Sequence, residues 1–340
     1  MADDPSAFDP HSGLRLCSCA PQVYRCKWLS DTVAVKSCRM LTSTPDAERL
    51  RKRKELCQEV ATLLLMLPHT NLIQVKGIVS RPADQPLLLI MELAERGSVF
   101  SLMRRRKTRQ EVEALGSDPL ELPDVPPMAT ALAWAADSAR GMEWIHSQSV
   151  LHRDLKSLNL VVTKEGVVKV TDFGLAKLRD RNAEETLALT RQAGTLQWMA
   201  PEVIQQSEST PRSLEYGKPA DVFSFGVILW ELRSAEIPYK CIKGASIDAA
   251  IGIAVCVEGK RPDSYPLSDG LAWPRAAVGR GVAGDCTPPE YVALMRECWT
   301  SEPRDRPSFS EVLARLDAIH AMHHARAAGR PLSGTSSPRP

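Results

Sequence analysis

The texture of the sequence changes near residues 92–98, and that change limits the folds open to the chain. Before it, Val23–Trp28 and Thr32–Cys38 read as two short strands turning at Ser30-Asp31. Pro45–Leu67 reads as a helix, with Asp46, Glu48 and Glu55 early and Leu56, Val60, Leu63 and Leu67 recurring at helical spacing. Leu87–Leu93 is a buried strand that empties into the turn-rich Ala94-Glu95-Arg96-Gly97. Beyond it, Met128–Ser147 predicts a helix with Leu132, Ala136, Ala139 and Ile145 on one face. Val161–Thr171 predicts a hairpin turning at Lys164-Glu165-Gly166, and Asp221–Leu232, Ile247–Val257, Pro289–Trp299 and Phe309–His320 predict further helices. A β-rich part with one helix, then a helix-rich part, is an α+β chain in two lobes, with a ligand cleft where they meet.

Composition removes several function classes. With 340 residues, 44% of them hydrophobic, the chain can bury a core without metals or disulfides. A net charge of +2 gives no reason to expect nucleic acid as a partner. The nine cysteines have no framework or zinc-ligand spacing, so free thiols in a reducing cytoplasm are the expectation. No apolar run approaches the roughly 18 residues that span a bilayer. Met1–Pro5 lacks an apolar leader and position 2 is not glycine, so neither a signal peptide nor myristoylation is expected. The basic run Arg104–Lys107 reads as a solvated helix face, with a nuclear-import signal or docking patch as the alternatives. Thr108–Pro127, Gln205–Ser213 and Pro266–Asp285 read as surface insertions, and the end of the chain as a disordered tail.

The chemistry is concentrated in His152-Arg153-Asp154-Leu155-Lys156-Ser157-Leu158-Asn159. Transfer of a phosphoryl group to a hydroxyl needs a carboxylate that orients the hydroxyl and takes its proton. It also needs oxygen ligands that hold magnesium against the phosphates. Asp154 suits the first task, and Asn159 the second as a neutral carbonyl ligand. Asp172-Phe173-Gly174 follows the hairpin: Asp172 offers a metal-bridging carboxylate and Gly174 frees the backbone to turn. Ala200-Pro201-Glu202 closes the segment, and Val33-Ala34-Val35-Lys36 precedes them all. Each string alone is weak; their order is specific.

With these residues in this order, the chain from 14 to 320 resembles a protein kinase catalytic domain. Within that superfamily it is similar to the tyrosine-kinase-like group of Raf, mixed-lineage and plant Raf-like kinases. That narrower likeness rests on His152–Asn159, Gly194–Glu202, Asp221–Gly226 and Cys298-Trp299 through Arg306-Pro307-Ser308-Phe309. The resemblance implies a loose segment 1–13, a smaller lobe 14–91, a hinge 92–97, a larger lobe 98–320 and a tail 321–340. It implies ATP and magnesium, with Lys36 on the α- and β-phosphates and paired with Glu59, or with Glu55 in its place. Met91 falls at the gatekeeper position, and the Glu92 and Leu93 backbone faces the adenine edge. Val23, Ala34 and Val161 sandwich the ring, and Leu16 covers it. Leu63, Val75, His152 and Phe173 stack as a regulatory spine. Asp221 braces the catalytic loop, and Glu202 pairs with Arg306. Lys156, two residues after Asp154, and Thr195 imply protein serine or threonine as the acceptor. Arg153 beside Asp154 implies activation by phosphate on the following loop, at Thr186 or Thr190, from an upstream kinase or from the chain itself. The compartment implied is the cytoplasm, with the nucleus as the alternative.

One part of the pattern departs. The glycines that should precede Val23 are replaced by Leu16, Ser18 and Pro21. Backbone N–H groups must approach the phosphates closely there; a Cβ obstructs them and proline removes a donor. The chain is therefore expected to bind nucleotide weakly, and a pseudokinase scaffold is the alternative function.

Overall fold

Alternation along residues 23–38 decides how the first sheet forms. Successive side chains of a strand point to opposite faces, so Ala34 and Lys36 share one face while Val33 and Val35 share the other. The computed structural model describes residues 14–15, 23–38, 68–79, 87–104, 125–172, 196–205, 217–243, 246–267 and 287–327. The expected helix Pro45–Leu67, residues 105–107 of the basic run, most of the three insertions and the tail beyond Ala327 lie outside those residues.

The first sheet is antiparallel and contains β1 (Leu14–Arg15), β2 (Val23–Trp28), β3 (Asp31–Cys38), β4 (Val75–Val79) and β5 (Leu87–Glu92), in the order β1-β2-β3-β5-β4. The register sets Ala34 opposite Met91 and Lys36 opposite Leu89. Its two faces bury separate clusters. Ala34, Leu87, Leu89 and Met91 lie in one, and Val33, Val35, Leu88 and Ile90 lie with Cys26 in the other. Burial on both faces explains why β5 reads as an unbroken apolar run rather than an alternating one.

The chain leaves β5 through residues 93–96 and enters β6 (Gly97–Ser98), then the short α1 (Val99–Met103). β6 pairs with β7 (Leu160–Val162), and β7 with β8 (Val168–Val170), as a small second sheet. The β7–β8 turn needs its glycine, because Gly166 has φ +91. Segment 71–73 bridges this sheet to the first: the Val170 N–H donates to Asn71 O at 2.8 Å and the Ile73 N–H to Val170 O at 2.9 Å.

The rest is helical: α2 (Met128–Ser147), α3 (Pro201–Ile204), α4 (Lys218–Ser234), α5 (Ile247–Cys256), α6 (Pro289–Cys298) and α7 (Phe309–Ala327). Every residue of α4 from Ala220 to Ser234 is buried, so α4 is the central post of this part, apolar nearly all round as such a helix must be. The helix α7 corrects an expected boundary. It runs to Ala327, past the expected tail start at residue 321. Ala, Met and Arg are good helix formers, and Met322 packs on the core. At its other end the Ser308 N–H and hydroxyl both donate to Glu311 Oε2, while the Glu311 N–H donates to Ser308 Oγ, a reciprocal cap.

Candidate active site

The site begins with one buried carboxylate at the start of α4. Asp221 is fully buried; its Oδ2 accepts the His152 N–H at 2.9 Å and its Oδ1 accepts the Arg153 N–H at 3.0 Å. His146, at the end of α2, places Nε2 2.9 Å from Asp221 Oδ2. The loop after α2 is thereby fixed to α4 at its backbone. That grip holds Arg153 at φ +65, a conformation non-glycine residues keep only where the surroundings impose it.

His152 carries the fixation onward. The Asp154 N–H donates to its Nδ1 at 3.3 Å, and its Nε2 lies 3.1 Å from Thr171 O. With Nδ1 accepting, Nε2 is the ring nitrogen that can donate to the Thr171 carbonyl. Asp154 is then surrounded by its own loop. Lys156 Nζ donates to Asp154 Oδ1 at 3.0 Å. Asn159 Nδ2 donates to Asp154 O at 2.7 Å and lies 3.2 Å from Asp154 Oδ2. The Thr171 N–H donates to Asn159 O at 3.0 Å, which sets the following residue, Asp172, beside this loop. Asp172 has φ +65, and its Oδ2 meets Lys36 Nζ at 2.7 Å.

That last pair joins β3 of the first sheet to the end of β8. Lys36 is 7% exposed, a burial that a lysine tolerates only with a partner. On the same face of β3, Val23, Ala34, Met91, Leu93 and Val161 belong to one apolar cluster with Ile73, Leu87 and Leu89. Five residues read separately in the sequence as an adenine site are thus brought together, Val161 from the small sheet and the others from the first sheet and its exit.

The hinge reading narrows. The Glu92 N–H donates to Gln74 O at 3.0 Å, so this donor is already used and cannot serve an adenine edge. The Glu92 side chain is engaged as well, accepting from the Gln74 N–H at 2.8 Å and from Lys169 Nζ at 2.9 Å. The basic run needs a similar correction. Arg104 is not a solvated side chain: Nη2 donates to the fully buried Glu231 at 2.8 Å, because α1 ends against α4. Glu202 and Arg306 form the expected pair, with bonds of 2.6 and 2.9 Å. Leu16, Glu55, Glu59, Leu63, Phe173, Gly174, Thr186, Thr190 and Thr195 lie outside the described residues.

The polar partners the motifs did not announce are His146, Lys169, Ser157, Trp198 and Glu231. Glu231 had a signal of its own: it is a single acid in the apolar stretch Val227–Leu232, and a carboxylate in a buried helix must find donors.

The protein kinase domain family matches residues 20–316. The chain belongs to that family, as the order of its motifs implied. Among curated relatives it is similar to mitogen-activated protein kinase kinase kinase 10 of Homo sapiens, 32% identical over 309 residues, covering 88% of this chain and 26% of that protein. It is also similar to serine/threonine-protein kinase CTR1 of Arabidopsis thaliana, 32% identical over 296 residues, 86% of this chain and 29% of that one. Serine/threonine-protein kinase STY17 of the same plant is 29% identical over 303 residues, 89% of this chain and 43% of that one. The chain therefore spans less than half the length of these relatives.

Proposed function

We propose that this chain transfers the γ-phosphate of magnesium ATP to serine or threonine hydroxyls of proteins, as a signalling kinase. The observation that carries the reading is the convergence of two groups. Asp154, Lys156 and Asn159 lie on one α4-anchored loop, and the Lys36–Asp172 pair at 2.7 Å closes the opposite side. Asp154 orients the acceptor hydroxyl and takes its proton as the oxygen–phosphorus bond forms and the bond to the ADP oxygen breaks. Lys156, 3.0 Å from Asp154, places positive charge where the transferred group passes. Lys36 holds the α- and β-phosphates, and Val23, Ala34 and Val161 hold the ring, with Met91 behind it. Leu93 and the Glu92 carbonyl face its edge.

The donor set fits magnesium in kind. Asn159 commits its amide nitrogen to Asp154, which turns its oxygen the other way, and Asp172 adds a carboxylate. Among the described residues no three His, Cys, Asp or Glu side chains could hold an ion alone. Two protein oxygens completed by phosphates and water are the usual magnesium arrangement. When bound, the ion supplies charge against the phosphate oxygens.

The relatives named as serine/threonine kinases support this acceptor class. Phosphate on Thr186 or Thr190, added by an upstream kinase or by the chain itself, would order the loop through Arg153. No described helix is long and apolar enough to cross a membrane; the cytoplasm is the proposed compartment, with the nucleus as the alternative. The test is phosphate incorporation by the purified chain beside an Asp154→Asn control, with phosphosite mapping.

A second reading, a pseudokinase scaffold, is favoured by Leu16, Ser18 and Pro21, which occupy the connection between β1 and β2. Those residues predict weak nucleotide binding in either case. A thermal-shift titration with magnesium ATP should show a small stabilisation that needs high nucleotide, and tight binding would contradict it.

A further inference from the structure

We propose that the last turns of α7 bind a divalent transition-metal ion of the kind that prefers imidazole, such as Zn2+ or Ni2+, through His320 and His324. The two histidines lie four residues apart in a helix that runs from Phe309 to Ala327. That spacing sets side chains one above the other on a single face. Their ring centroids are 4.4 Å apart and their planes cross at 79°. Two imidazoles on neighbouring positions of one ion, with metal–nitrogen bonds of about 2.0–2.1 Å, have centroids about 4.5–5 Å apart. The pair therefore needs only a small turn of its side chains to close on an ion. Among the described residues no hydrogen bond holds either ring, so neither gives up a partner on binding.

The surroundings suit a cation. His320 is half-buried and His324 exposed, so an ion reaches the pair from solvent and keeps water on its remaining positions. Asp317, one turn before His320 on the same stripe, is exposed and brings negative charge, shared with Arg140 Nη2 at 3.7 Å. His323 is the third ring at this end, but adjacent residues of a helix do not face each other. Its centroid is 6.3 Å from that of His324, and its Nδ1 is buried. The protein thus supplies two ligands, in keeping with the absence of any three-ligand group among the described residues. Magnesium prefers oxygen, so this site is chemically separate from Asn159 and Asp172. Its consequence lies in the helix. Helix ends fray, and an ion shared by residues one turn apart clamps the last turn. Met322, between the two ligands, packs on the core, so the clamp secures that contact as well.

The experiment compares the full chain, freed of metal by a chelator, with His320→Gln, His324→Ala and His323→Ala. It is run at about pH 7.5, where histidine is neutral. Competition with a chromophoric chelator measures Zn2+ affinity, and amide exchange is followed along residues 309–327. The wild-type chain should hold one Zn2+ that His320→Gln and His324→Ala each hold at least about tenfold more weakly. Losing even a group that only supports a ligand costs about 10–100-fold. His323→Ala should stay within about threefold of the wild type, and Mn2+ should bind more weakly than Zn2+ or Ni2+. Zn2+ at about ten times its Kd should slow exchange in residues 320–327 by up to about tenfold, the factor mass action allows. His324→Ala should abolish that slowing, and because His324 is exposed this variant leaves the core intact. Zn2+ affinity and exchange unchanged by His324→Ala, or a wild-type chain that holds no Zn2+, would overturn the proposal. An equal loss in His323→Ala would overturn it too, by placing the ion elsewhere. Neither readout depends on phosphate transfer, so a failure of the kinase reading and a failure of this site are separate results.

Discussion

Lys36 concentrates the energetic problem of the site at one residue. Its ammonium is almost withdrawn from water and held 2.7 Å from Asp172, so the cost of burying it is offset only while a carboxylate or a phosphate is in reach. Lys36→Met retains the packing on β3 and removes the charge. Kinetics should show kcat/KM for ATP falling by about 10²–10³-fold, the cost of removing one preorganised charge from a transfer site. A loss under about threefold would mean that Lys36 does not face the phosphates. Residues of this kind were legible in the sequence, because Lys36, Asp154, Asn159 and Asp172 sit in short strings whose local spacing reflects their chemistry. Ser157 and Trp198 were not, because Glu231 lies 74 and 33 residues away from them, and no local pattern encodes such a separation.

Among the elements, α7 shows what periodicity reads well and what it does not. The apolar stripe marked its start at Phe309. Its last turns carry His320, His323 and His324, whose polarity hid a helix that continues to Ala327. Burial lowers the His320 pKa, and His324, His323 and Arg140 lower it further against an opposing effect of Asp317. His69 is lowered in the same way, by burial and then by Lys169 and Arg140. The folded state thus resists protons that the unfolded chain accepts near its ordinary histidine pKa of about 6.5. Stability contributed by these neutral rings is complete above that value and is lost as pH falls through it toward the folded pKa. Thermal unfolding should occur at lower temperature at about pH 5.5 than at about pH 7, and His320→Gln should flatten part of that slope. An identical slope in the variant would remove His320 from the account. The strands β2, β3 and β5 were read to within a residue or two, since alternation and turn residues fix them locally.

For the whole molecule, the decisive contact is the one that seats the helical part under segment 71–73. α2 approaches that segment at Gly141, where an added Cβ would stand 2.6 Å from Asn71 O and 2.9 Å from Val170 Cγ2. Gly141→Ala therefore has to displace backbone, and should cost about 1–3 kcal/mol in denaturant unfolding despite alanine's better helix propensity. A stabilised variant would show that the two parts do not depend on this approach. The two-lobed α+β arrangement was readable from the change of texture at residues 92–98, but this seating was not, because a glycine inside a helix pattern does not name its neighbour. Asp154 sits in a loop whose backbone is fixed by Asp221, beside the Lys36–Asp172 pair. The most direct test of its role is phosphate incorporation into serine and threonine with magnesium ATP, comparing the full chain with folded Asp154→Asn. The first should transfer phosphate, and the second should lose about a thousandfold or more of that rate. Equal incorporation by the two, or none by the wild-type chain while it is folded, would contradict that role.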